Sequence, residues 1–161
     1  MFKIGDYITY PMHGAGVIES IVTKKINGSQ RDYYVLKLPV GDMVVMVPVS
    51  GCEDIGVRSI ISRSEAEKLF SAFSEIEISM TQNWNKRYRE NMDKIKSGNL
   101  LDVASVVKGL MCRDSERGLS TSERKMLHSA KQILISELVI ATDMDYDGVE
   151  KRLCAALKEG K

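Results

Sequence analysis

The sequence predicts an α+β protein, a small N-terminal β-barrel followed by an all-helical bundle of about five helices. Three observations lead there. Up to about Ile61 the apolar residues come in short β-type runs broken by glycine and proline. From Ser62 onward they recur at helical spacing, and no long Pro/Gly/Ser-rich linker separates the two regimes. The 161 residues suffice for two small units, drawn at 1–61 and 62–161, which should sit close together.

In the first unit, Tyr7-Ile8-Thr9-Tyr10 stops at Pro11 and the Gly14-Ala15-Gly16 step. Val17 to Lys25, rich in β-branched residues, leads to Asn27-Gly28, a strong hairpin signal. Tyr33 to Leu38 ends at Pro39 and Gly41-Asp42, and Met43 to Val47 is closed by Pro48. Strands this short bury an inner face only by curling into a barrel, and the glycines permit the bends that closure needs. The edge strands stay open to pairing with another protein.

In the second unit, Ser64-Glu65-Ala66-Glu67 reads as a capping box opening a short helix with Leu69, Phe70 and Phe73 on its apolar side. A second helix is expected from about Thr81 to Ser97, ending at Gly98. A third carries Leu100, Val103, Ala104, Val107, Leu110 and Met111 and stops near Gly118. Ser120-Thr121-Ser122-Glu123 is another capping box, opening a long helix with Leu127, Ala130, Leu134, Leu138 and Ala141 on one side. A last helix turns Val149, Leu153, Ala156 and Leu157 inward. The alternating acids of Asp143 to Gly148 resemble a calcium loop, but the twelfth position is Cys154 rather than a glutamate. A helix-to-helix turn with an acidic N-cap is expected instead.

With 43% hydrophobic and 28% charged residues, the chain has the composition of a packed globular protein. Its longest dense apolar run, Met43 to Val49, is far short of the roughly 20 residues that cross a bilayer. The N-terminus lacks the basic-then-apolar pattern of a secretory signal, so a cytoplasmic location is expected. Cys52, Cys112 and Cys154 are widely spaced without a CxxC pair and are read as reduced thiols. His13 and His128 fall in no catalytic or metal-binding spacing, and Gly14-Ala15-Gly16 runs on into a strand instead of opening a nucleotide-binding helix. Enzyme activity, a metal, a cofactor and a small-molecule substrate are therefore not expected.

Net charge is only +1, so the distribution of charge matters more than its sum. Between Trp84 and Ser97, Lys86, Arg87, Arg89, Lys94 and Lys96 outnumber Glu90 and Asp93. Trp84, the single tryptophan, stands near the start of a helix with cations two, three and five residues on. An aromatic that wedges at a base step, beside cations that neutralise phosphates, suits distorted duplex or single strands. Equally, Trp84, Tyr88, Met92 and Ile95 recur at helical spacing and form a core stripe in the alternative reading.

The opening Phe2-Lys3-Ile4-Gly5-Asp6-Tyr7-Ile8-Thr9-Tyr10-Pro11-Met12-His13-Gly14-Ala15-Gly16-Val17-Ile18 resembles the CarD family, whose N-terminal module is shared with the transcription-repair coupling factor. Asn83 to Tyr88, Ser97-Gly98, Val103-Ala104, Arg117 to Ser120, Glu123 to Leu127 and Ala130 to Leu134 match that family's helical domain in order and spacing, so the resemblance runs to about Ala141. It implies a Tudor-like, SH3-like barrel that binds the β subunit of RNA polymerase by strand pairing, and a helical domain that contacts promoter DNA at the upstream edge of the bubble. Trp84 would then sit in the minor groove and stabilise the open promoter complex, with Lys86, Arg87, Arg89 and Arg124 as phosphate contacts. Polymerase contacts would fall on Lys24, Ile26 and the strand bearing Met46. Met46 departs from the family pattern, since several relatives carry arginine there. The resemblance further implies a bacterial transcription regulator, not an enzyme, associated with the nucleoid through polymerase; separately from it, a monomer is expected.

The rival class is a protein-interaction adaptor that tethers another factor to polymerase without touching DNA, with Trp84 in the core. Tryptophan fluorescence separates the two. A red-shifted, quencher-accessible emission fits the DNA-facing residue, and a blue-shifted, protected one fits the core residue.

Overall fold

The computed structural model describes residues 2–40, 42–78 and 80–159; Gly41, expected in the break before Met43, lies outside them. Five antiparallel strands, β1 (Tyr7–Tyr10), β2 (Gly14–Ile26), β3 (Ser29–Leu38), β4 (Met43–Pro48) and β5 (Arg58–Ser59), form one sheet in the order β4-β3-β2-β1-β5. Asn27 and Gly28 both take positive φ, 51° and 82°, the backbone that a two-residue hairpin turn requires. The β2–β3 ladder consequently runs to the pair Ile26↔Ser29. It outruns its neighbours, because β1 pairs only with Gly14 to Val17 and β4 only with Tyr33 to Leu38.

A register shift between Ile18 and Ser20 bends β2, and the sheet curls around Ile8, Ile18, Tyr34, Leu36, Leu38 and Val47, with Cys52 and Val57 from the following loop. Gly16 stands where a β-carbon would collide with the Lys37 carbonyl, so close strand approach demands glycine there. The Cys52 thiol is buried in this core, and burial raises its pKa.

Five helices follow: α1 (Arg63–Phe73), α2 (Trp84–Lys96), α3 (Leu100–Arg117), α4 (Thr121–Thr142) and α5 (Tyr146–Glu159). The α1 capping box is formed by Ser62 and Glu65, two residues before the expected Ser64 and Glu67. Ser62 still has the extended backbone of an N-cap (φ −75°, ψ 165°), whereas Ser64 is already helical. Ser120 caps α4 as expected, accepting from the Glu123 amide at 3.2 Å, but the Glu123 carboxylate bonds Arg87 and the Ser120 hydroxyl. Asp143 ends α4 in the left-handed conformation (φ 60°), and the Asp145 carboxylate accepts from the Gly148 amide at 2.7 Å, the expected acidic cap of α5.

One expectation about α4 is corrected. Of its apolar stripe Ala130, Leu134 and Leu138 are buried and Leu127 and Ala141 half-buried, but Ile133, Ile135, Ser136 and Glu137 are buried too, because the barrel packs on a second side of the helix. Ser136 Oγ accepts from the Ala15 amide at 2.9 Å, and a β-carbon on Gly14 would meet that same oxygen at 2.7 Å. The Gly14-Ala15-Gly16 step therefore serves domain contact as well as barrel closure. The Arg58 guanidinium grips Glu137 with two bonds of 2.7 and 3.0 Å and the Gly98 carbonyl with a third of 3.1 Å, while Glu137 also accepts from the Ile61 amide at 2.8 Å.

Removing one partner of a buried ion pair strands the other in a low-dielectric interior. The Glu137 side chain is only 1% exposed, so Arg58→Ala is expected to destabilise by about 3–5 kcal/mol. That corresponds to a fall in Tm of roughly 10 °C. Thermal unfolding checks it: an unchanged Tm would mean that apolar contacts alone hold barrel to bundle.

Candidate nucleic-acid and polymerase interfaces

Asn83 caps α2, its side chain accepting from the Lys86 amide at 3.0 Å, and so fixes Trp84 as the first helical residue. The buried side of α2 is Arg87, Asn91 and Ile95, not the stripe that begins with Trp84. Tyr88 and Met92 are half-buried, and the Trp84 indole is 41% exposed. It stacks on Tyr88 with ring centroids 5.2 Å apart and planes 19° from parallel, and its Nε1 donates to Ser120 Oγ at 3.3 Å. That bond brings the N-terminus of α2 against the N-terminus of α4. Two positive helix ends thus meet beside an exposed aromatic, and the first turn of α2 carries no acid.

Arg87, expected to contact phosphate, is corrected. It is 2% exposed, and its guanidinium pairs with Glu123 at 2.9 and 3.3 Å and donates to the Thr81 and Gln82 carbonyls at 3.2 Å each. A helix advances about 100° per residue, and here position 87 points at α4 rather than at solvent. Burial alone would raise the Glu123 pKa, but the bonds and charge of Arg87, with help from Arg113 and Ser120, hold it below its ordinary value.

Lys86 and Arg89 are exposed on the flank of α2 turned away from the Trp84–Tyr88 stack. Arg124 is exposed one residue past Glu123, its Nε donating to the Leu119 carbonyl at 3.2 Å and its Nη2 lying 3.8 Å from Asp114. Exposed cations therefore stand on both helices whose N-termini meet at the indole, with those of α2 on its other flank. Sequence reading treated Ser120 and Glu123 only as cap residues; their second bonds, to Trp84 and Arg87, cross 36 residues and leave no periodic trace.

On the sheet, Met46 pairs with Val35, Tyr33 with Val22, and Lys24 with Arg31. Because paired residues share a face and alternate residues return to it, Lys24, Ile26 and Met46 lie together on the face opposite the barrel core. The rungs of Met46 and Lys24 are separated by about 13 Å along β3. Val44, 58% exposed, joins them from β4, which ends the sheet with no strand beyond it among the described residues.

Among the described residues no cluster of His, Cys, Asp and Glu is arranged to hold a metal, and no helix is long and apolar enough to cross a membrane.

A barrel with an open edge, joined to a bundle that presents an exposed aromatic where two helix N-termini meet, is the architecture of a transcription regulator of the CarD type. The family model described as CarD-like/TRCF RID domain matches residues 2–61, the one described as CarD, C-terminal domain matches residues 68–154, and the chain belongs to the CarD family. It is 39% identical over 140 residues to YdeB of Bacillus subtilis (strain 168), described as a candidate transcription factor, an alignment covering 87% of this chain and 92% of that protein. Membership supports a transcription-related role through interaction with RNA polymerase, and the family is not an enzyme class.

The lowered Glu123 pKa sets an acid limit on the bundle. A carboxylate whose folded-state pKa lies below its ordinary 4.5 contributes stability that is complete above that range and lost as the pH falls through the folded value. Thermal unfolding between about pH 6 and pH 3 should show a declining acid limb that Glu123→Gln flattens. An unaltered limb in the variant would assign the acid loss to other carboxylates.

Proposed function

We propose that this chain binds the β subunit of RNA polymerase through the open β4 edge and the outer sheet face, and places Trp84 at the upstream edge of the promoter bubble. There it stabilises the open complex. The observation that carries this reading is the exposed indole at the junction of two helix N-termini, with cations on both helices. Lys86, Arg89 and Arg124 neutralise phosphates, while Arg87 braces the site from within. Lys24, Ile26 and Met46 form the polymerase contact, which is apolar at Met46, so that part of the interface depends little on salt. The protein acts in the cytoplasm as a monomer, reaching the nucleoid through polymerase.

The mechanism is differential binding. A factor that holds open DNA more tightly than closed shifts the equilibrium toward open, and about 1.4 kcal/mol of difference is tenfold. Phosphate contacts and an aromatic wedge respond to DNA shape and deformability more than to base identity, so DNA binding is salt-sensitive and nearly sequence-independent.

Open-complex lifetime on one promoter, measured with a bacterial polymerase alone, with wild-type protein and with Trp84→Ala at equal occupancy, tests it. Wild type should lengthen the lifetime and Trp84→Ala should lose most of that gain. No lengthening by wild type would leave polymerase tethering as the better account.

A further inference from the structure

We infer that Ser120, Glu123 and Arg87 are positioning residues that hold the Trp84 indole ready for nucleic acid, an inference that rests on the reading of Trp84 as the DNA-facing residue. The bonds form a continuous path from the interior to the ring. Arg87 donates to the Thr81 and Gln82 carbonyls, immediately before the α2 cap, and pairs with Glu123. Ser120 Oγ donates to Glu123 Oε1 at 3.3 Å and accepts from the Glu123 amide at 3.2 Å and from Trp84 Nε1 at 3.3 Å. A serine hydroxyl has one proton to give and two lone pairs to receive, and here all three are used. Tyr88 then covers one face of the ring.

An exposed indole is ordinarily free to change rotamer, and fixing it on binding would weaken the contact through lost side-chain entropy. Here the bond to Ser120 and the stack on Tyr88 restrict the ring before any partner arrives. The buried charges explain the choice of anchor. A hydrophobic pair of similar size would pack against α4 at least as stably, but it would give neither Ser120 nor the Thr81–Gln82 segment a fixed direction.

The test uses the full-length protein, whose single tryptophan is its own probe. Fluorescence anisotropy and quenching of free wild type, Ser120→Ala and Ser120→Thr are compared, followed by open-complex lifetimes for the same proteins, for Trp84→Ala and for the double variant Trp84→Ala/Ser120→Ala. Ser120→Ala should free the indole and shorten the lifetime by about two- to tenfold, the range one net hydrogen bond spans. Ser120→Thr, which keeps both cap and hydroxyl, should restore both signals, and the double variant should be no worse than Trp84→Ala. Unchanged indole motion in Ser120→Ala, or a further loss in the double variant, would overturn the positioning role. A wild-type lifetime for Trp84→Ala would instead overturn the DNA-facing reading, and the anisotropy of the free protein would still decide whether Ser120 holds the ring.

Discussion

The carboxylate of Glu137 is the constraint on which the arrangement of this molecule depends. It lies on the central helix of the bundle, yet its partners, Arg58 and the Ile61 amide, belong to the last strand of the barrel and the segment that leaves it. Arg58 in turn bonds the Gly98 carbonyl between α2 and α3, so one guanidinium joins the barrel to two parts of the bundle. A bidentate pair has a preferred plane and direction that apolar packing lacks. Together with the Ser136–Ala15 bond it sets the angle between the sheet face carrying Met46 and the helix ends carrying Trp84.

A second buried pair, Arg87 with Glu123, works in the same way inside the bundle. It ties the start of α2 to the start of α4 and brings the two helix N-termini together. Buried pairs of this kind are weak contributors to net stability, since desolvation offsets most of the attraction. What both supply here is registration: one between domains, one between helices. The Arg87–Glu123 pair lies behind the Trp84 surface, whereas Arg58–Glu137 sits at the β5 edge of the sheet, away from β4; Lys86, Arg89, Lys24 and Ile26 are exposed.

The order of elements was legible because strand and helix periods differ and the change falls cleanly near Ser62. The Asn27-Gly28 turn and the Ser120 cap depend on local chemistry and stand where the residues indicated, and the acidic cap expected within Asp143 to Gly148 is Asp145. Harder to read was anything decided by distant partners. Arg87 belongs to the most basic stretch of the chain, and nothing local distinguishes it from Arg89; only Glu123, on another helix, determines that one is buried and the other exposed. Ser136-Glu137 similarly interrupts an apolar helix as a solvated pair would, and its burial follows from Ala15 and Arg58 far back in the chain. The indole's exposure was undecided for the same reason, since Trp84 and Ile95 fit one helical stripe equally well until α4 is in place.

The separation between Arg58 and Glu137 in the chain also has a bearing on how the protein is made. The barrel sequence leaves the ribosome first, but the carboxylate that completes its contact with the bundle follows 79 residues later. At about 5–20 residues per second, that is a delay of roughly 4–16 s. Over that interval the Ala15 amide and the Arg58 guanidinium lack the Ser136 and Glu137 partners that the finished protein gives them. Synthesis of the central helix is therefore the step that supplies the partners fixing barrel against bundle.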